Sequence, residues 1–71
     1  MNMGKYKELV VLKGLLREQK ITYKILASYL KKTISAVSNK INGKSVFDLL
    51  EVSKIAELTN MGKEEIPRYF F

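Results

Sequence analysis

The segment from Thr22 to Gly43 limits the possible folds of this chain more than any other, because it reads as two short helices joined by a tight turn. Thr22 and Thr33 each precede a helical pattern, where a hydroxyl accepts a hydrogen bond from a free backbone N–H group. The small side chain of Ala27 allows a second helix to cross closely. Asn42 and Gly43 predict the end of the second helix, because both tolerate the left-handed conformation.

Apolar residues recur at helical spacing on both sides of this turn, which is formed by residues 31–32. The patterns predict helices over residues 23–30 and 34–41. The predicted apolar stripes consist of Ile25, Leu26, Tyr29 and Leu30 in the first helix, and Val37 and Ile41 in the second. Two helices that cross steeply after a short turn form a helix-turn-helix, and its second helix fits the DNA major groove.

The rest of the chain also has helical periodicity and no strand pattern longer than a few residues. We predict a first helix over 6–19, a fourth over 49–59 that starts with a capping box at Asp48 and Glu51, and one more turn over 62–66 before Pro67. Gly14 suggests a close helix contact, and Val46 and Phe47 are expected to return to the core. Residues 1–5 are expected to be frayed, and the tail 67–71 is expected to lie over the core or reach a partner.

These elements predict an all-α fold, a compact bundle of about five short helices in a single domain over residues 1–71, with the helix-turn-helix at about 22–43. Catalysis is not expected, because the chain has no Cys and no His. Its carboxylates are expected at helix caps and outer helix faces, and they are Glu8, Glu18, Asp48, Glu51, Glu57, Glu64 and Glu65. We expect no cofactor, no metal site, no membrane span and a cytoplasmic location.

Positive charge is confined to one part of the sequence. The chain carries a net charge of +6, and residues 19–47 contain six lysines and no acidic residue. The remaining segments carry seven basic and seven acidic residues, which cancel. The whole net charge therefore falls on the predicted helix-turn-helix, which favours a polyanionic partner over an ordinary solvated surface.

The stretch 9–66 resembles helix-turn-helix regulators of the Cro and lysogeny-repressor (CI) type, which have the lambda-repressor-like DNA-binding fold. The matching residues are Thr22, Leu26, Ala27, Leu30, Thr33, Val37, Ser38, Asn42, Gly43 and the run 50–56. The ending 64–71 resembles small early regulators of temperate phages of Gram-positive bacteria. That group includes Cro-like repressors and modulators of repression, which are encoded opposite the lysogeny repressor.

This resemblance implies that the third helix lies in the major groove of double-stranded DNA. The base-reading residues would be Thr33, Ile34, Ser35, Ser38 and Asn39. The phosphate-contacting residues would be Lys24, Lys32, Lys40, Asn42 and Lys44. Relatives often dimerise on DNA, and the pair 70–71 is expected either to mediate such a homodimer or to close the core.

Two kinds of position depart from the pattern of these regulators, namely the helix starts and the turn. Tyr23 and Ile34 stand where many relatives have Gln or another polar reader, and Lys31 stands at a turn position usually occupied by Gly. Ile34 could pack on a thymine methyl group. Alternatively, Tyr23 and Ile34 could form an apolar anchor for a partner protein. The sequence thus leaves two functions open, namely operator binding in a lysis–lysogeny switch and capture of the cognate lysogeny repressor as an antirepressor.

Overall fold

The computed structural model describes residues 6–71, so the expected fraying of residues 1–5 lies outside the described part of the chain. Within 6–71 all regular secondary structure is helical, which confirms the predicted all-α bundle. The elements are α1 (Val10–Glu18), α2 (Tyr23–Leu30), α3 (Ile34–Ile41), α4 (Leu49–Thr59), a short 3₁₀ helix (Lys63–Glu65) and α5 (Ile66–Phe70). None of these helices has the length and apolar character needed to cross a bilayer.

The α2–turn–α3 unit has the predicted ends at both helices. The Thr22 hydroxyl accepts from the Ile25 N–H group at 3.1 Å, and the Thr33 hydroxyl accepts from the Ala36 N–H group at 3.0 Å. Lys31 ends α2 in the left-handed conformation, with φ 58° and ψ 43°. This conformation costs a residue with a Cβ atom about 1 kcal/mol relative to Gly. The turn nevertheless forms with a lysine at this position.

Helix α4 begins and ends as predicted. The Asp48 carboxylate accepts from the Glu51 N–H group at 2.7 Å, and the Glu51 carboxylate accepts from the Asp48 N–H group at 3.0 Å. This reciprocal pair is the predicted capping box. Asn60 ends the helix in the left-handed conformation.

One hydrophobic core joins α1, α2, α3 and α4. Its fully buried side chains are Leu12, Leu16, Leu26, Val37, Ile41 and Ile55. Ile21 packs against this core from the loop between α1 and α2, as predicted. Ala27 is 3 % exposed, so its small side chain lies in the core as part of the buried face of α2.

Helix α1 is shorter than predicted, because it begins at Val10 and not at Tyr6. The Tyr6 N–H group donates to the Gly43 carbonyl at 2.8 Å, and the Leu9 N–H group donates to the Ile41 carbonyl at 2.9 Å. These carbonyls lie at the end of α3, where they lack intrahelical partners. Residues 6–9 are therefore held against α3. Gly43 is required at this contact, because it has φ 88° and a Cβ atom there would collide with the Tyr6 carbonyl oxygen.

Several apolar residues are more exposed than their spacing predicts. Ile25 and Tyr29 lie at the edge of α2 and are 48 % and 37 % exposed, so the buried stripe of that helix is Leu26, Ala27 and Leu30. Val46 is exposed, whereas Phe47 packs against the core as predicted. The close helix contact expected at Gly14 is wrong, because no atom of a neighbouring element lies within 4 Å of a Cβ built there.

The C-terminal segment folds over the core. The single predicted turn is a 3₁₀ helix followed by α5, and Pro67 lies in the first turn of α5, where its missing N–H group is tolerated. The Phe70 ring packs edge-to-face on the Phe47 ring, with 6.0 Å between centroids. Phe70 thus closes the core, while Phe71 is 75 % exposed.

Candidate nucleic-acid interface

The outer side of α3 carries most of the residues that the sequence assigns to base reading. Ile34, Ser35 and Asn39 are exposed, and the opposite side of the helix is buried in the core. Thr33 is also exposed, but its hydroxyl oxygen caps α3 by accepting from the Ala36 N–H group. The hydroxyl hydrogen of Thr33 therefore remains available to donate outward.

Ser38 and Asn42 are less accessible than the other predicted contact residues. Both are half-buried, and the Asn42 side-chain amide donates to the Ser38 hydroxyl oxygen at 3.2 Å. This bond links consecutive turns at the end of α3. Each side chain retains one donor hydrogen that could reach DNA, so the pair fits a supporting role better than an independent one.

The predicted phosphate contact of Lys40 is corrected by the structure. Its Nζ atom lies 2.7 Å from both carboxylate oxygens of Glu51, and the side chains of Lys40 and Glu51 are only 20 % and 5 % exposed. The ammonium group also lies 5.8 Å from the centroid of the Phe47 ring. The charge of Lys40 is neutralised inside the protein, and this residue fixes α3 to α4 instead of contacting phosphate.

Sequence spacing contained a signal for the burial of Lys40. Val37, Lys40 and Ile41 are related by helical steps of three and four residues, which place them on one face. A lysine on a buried face requires a partner carboxylate, because an isolated charge there is strongly unfavourable. The capping box already placed Glu51 at the start of the next helix, but its proximity to Lys40 depends on the tertiary fold.

The other lysines proposed for phosphate contact remain available. Lys24, Lys32 and Lys44 are exposed, and none of them forms an ion pair within residues 6–71. Lys32 lies in the turn before α3, and Lys44 follows the end of α3. Lysines therefore flank both ends of the exposed face of α3.

Tyr23 and Ile34 differ in how accessible they are for a partner protein. Tyr23 is half-buried and packs against the core, beside Leu16 and Ile21 on the α1 side of the molecule. Tyr23 is therefore less accessible than predicted, and its role as an apolar anchor stays a prediction. Ile34 is 49 % exposed at the start of α3 and remains accessible.

One exposed hydrogen bond connects α2 to α4. The Tyr29 hydroxyl donates to a Glu57 carboxylate oxygen at 2.5 Å. This hydrogen bond to the carboxylate raises the pKa of Tyr29 above its usual value, and partial desolvation and the negative charge of Glu57 act in the same direction. The folded protein thus holds this proton more tightly than the unfolded chain, so the resulting stabilisation is present below the unfolded pKa and is lost as the pH rises through the folded pKa.

The surface of α3 has no metal-binding cluster beside it in the described part of the chain. Residues 6–71 contain no group of three or more His, Cys, Asp or Glu side chains that could hold a metal ion.

Neither the protein-family models nor the curated proteins include one that matches this chain. The geometry and charge of α3 and its flanking residues indicate what this surface could bind.

Proposed function

We propose that this chain is a transcriptional regulator that binds operator DNA through α3, as in the lysis–lysogeny switch of a temperate phage. The α2–turn–α3 unit would act as the helix-turn-helix, with α3 in the major groove. The resemblance to Cro and lysogeny-repressor proteins supports this assignment. A host-cell cytoplasmic location follows from the same proposal.

One observation carries the proposal, namely an exposed polar face on α3 that is flanked by unpaired lysines. Ser35 and Asn39 offer donors and acceptors to base edges, while Lys32 and Lys44 offer charge to the adjoining phosphates. A solvated helix face alone would explain the polar residues. It would not explain why the net charge of +6 is confined to the segment that contains this face.

Salt dependence provides the first test. Each phosphate contact lowers the logarithm of the binding constant by about 0.9 per logarithmic unit of salt. Contacts from Lys24, Lys32 and Lys44 therefore predict a slope of about −2.7 or steeper, measured by fluorescence anisotropy with a labelled duplex between about 50 and 200 mM salt. Salt-independent binding, or no binding at low salt, would contradict the proposal.

A matched pair of variants locates the contact surface within the same assay. Lys44→Gln should make the slope shallower by about 0.9, because it removes one phosphate contact. Lys63→Gln removes the same charge from the 3₁₀ helix, which packs on α5, and should leave the slope unchanged. Equal effects of the two substitutions would indicate only a general response to net charge.

A second candidate function is capture of a partner repressor, which the exposure of Ile34 favours. The DNA-binding face of a repressor is itself basic and would repel the lysines of this chain. An apolar contact, or an acidic surface on the repressor, would therefore be required. Such a partner-binding mode could operate beside DNA binding in one protein.

Ile34→Ser separates the two candidates, because this exposed position can change without disturbing the core. If repressor capture is the activity, the substitution should abolish co-purification with the cognate lysogeny repressor and spare general duplex binding. Ile25→Ser, an equally exposed change on α2, serves as the control. Retained co-purification of the Ile34→Ser protein would exclude this surface as the anchor.

A further inference from the structure

We propose that α3 selects A·T base pairs over G·C pairs, with Ile34 contacting a thymine methyl group and Asn39 hydrogen-bonding an adenine. This inference rests on the proposed function and specifies the bases that it would read. It follows from the side chains that α3 exposes and from the pairing of Lys40 with Glu51, which keeps Lys40 from the exposed face.

The side chain of α3 that could recognise guanine, Lys40, is not available for that contact. Guanine is usually recognised in the major groove by Arg or Lys, which donates to its O6 and N7 atoms. Lys40 is the one cation within α3, and Glu51 holds its ammonium group at 2.7 Å from both carboxylate oxygens. Pulling Lys40 outward would leave the buried carboxylate of Glu51 unpaired, which is strongly unfavourable. Helix α3 therefore presents no cation to guanine.

The side chain that reads cytosine is also absent from this helix. The exocyclic amine of cytosine is a donor, and Asp or Glu is its usual partner. Helix α3 contains no acidic residue. Serine can bond to any of several bases, so Ser35 supplies contact without strong selection.

The remaining exposed side chains match adenine and thymine. Asn39 is exposed, and its side-chain amide makes no hydrogen bond within residues 6–71, so both its oxygen and its nitrogen are available to adenine N6 and N7. The branched side chain of Ile34 is 49 % exposed and offers apolar contact to a thymine methyl group. Asn39 lies about 7.5 Å along the helix axis from Ile34 and about 140° around it, so the two side chains would reach different base pairs.

Selection from a random duplex pool tests the proposal and lets the protein itself choose among all sequences. Wild-type protein should enrich sequences with A·T pairs at the centre of each bound half-site. Replacement of such a pair by G·C should weaken binding by roughly 5- to 100-fold. A G·C-centred consensus with normal salt dependence would overturn the base assignment and leave the proposed function intact. Absence of duplex binding at low salt would overturn both.

Base analogues in the enriched duplex assign each contact to its residue. Uracil in place of thymine removes the methyl group and should weaken wild-type binding about 4-fold, from the value of one buried methyl group. In Ile34→Ala protein, uracil should have a smaller effect, because the shorter side chain loses most of the apolar contact. Likewise, 7-deazaadenine removes the N7 acceptor and should weaken binding of wild type but not of Asn39→Ala.

The analogue comparison remains informative whatever the variants do to overall affinity, because it measures a ratio of two duplexes for each protein. Ser53→Ala, at an exposed position on α4, is the control variant and should show the wild-type ratios. Equal sensitivity of wild type and Asn39→Ala to 7-deazaadenine would refute the adenine contact. Equal sensitivity of wild type and Ile34→Ala to uracil would refute the thymine contact.

Discussion

Leu26→Ala is expected to destabilise the protein by about 2–5 kcal/mol, because it leaves a cavity at a side chain with no exposed surface. A chain of this length has a total stability of about 3–10 kcal/mol, so the substitution removes a large share of it. Urea unfolding monitored by circular dichroism should show a much lower midpoint with little change in slope. At physiological temperature a measurable fraction of the protein should be unfolded.

Ile25→Ala is the matched control, because it removes an aliphatic side chain of the same size from the adjacent position of α2. Ile25 is 48 % exposed, so its loss should lower stability by less than about 1 kcal/mol. The comparison tests the face of α2 that contacts the core, independently of any function. Similar losses for both variants would show that α2 is rotated relative to the structure described.

Helix ends were predictable from sequence because their causes are local. The hydroxyl caps at Thr22 and Thr33 and the capping box at Asp48 each act within a single turn, and α2, α3 and α4 begin where these residues predict. The start of α1 was not predictable in this way. It depends on hydrogen bonds from Tyr6 and Leu9 to the end of α3, and residues so distant in sequence become neighbours only through the tertiary fold.

Apolar spacing predicts which residues form helices more reliably than it predicts which side of a helix is buried. Leu49 lies three residues before the buried Val52, a spacing that places both on one face, yet Leu49 is 85 % exposed. The buried face of α4 is instead shared by Glu51, Val52 and Thr59. A carboxylate occupies this face because its charge is matched by Lys40, and spacing alone does not reveal that match.

The candidate site shows the same division between local and long-range causes. The exposure of Ile34, Ser35 and Asn39 follows from helical periodicity once Val37 and its neighbours are assigned to the core, and the structure agrees. Lys40 belongs to the same helix, but its role is decided by a residue on α4. The charge available to a polyanion is therefore smaller than the sequence implies, and it is concentrated at the ends of α3.

Glu51→Gln is expected to cause the second large loss of stability, about 2–4 kcal/mol. Glutamine keeps an oxygen that can accept from the Asp48 N–H group, so the capping box can persist. The loss arises because the Lys40 ammonium then faces a neutral amide in a largely buried position. It should be smaller than for a fully buried pair, because the Lys40 side chain is 20 % exposed and can partly reach water. Urea unfolding measures the difference.

Glu57→Gln provides the matched control on the same helix, since Glu57 is exposed and, within residues 6–71, its carboxylate accepts only the Tyr29 hydroxyl bond. It should change the unfolding midpoint far less than Glu51→Gln. Adding Lys40→Met to the Glu51→Gln protein should then restore much of the stability, because a methionine fills the space over Phe47 without leaving an unpaired charge. A double-mutant cycle gives a coupling energy that should exceed about 0.5 kcal/mol. Additive losses would mean that Lys40 is not held by Glu51 and is available to DNA after all.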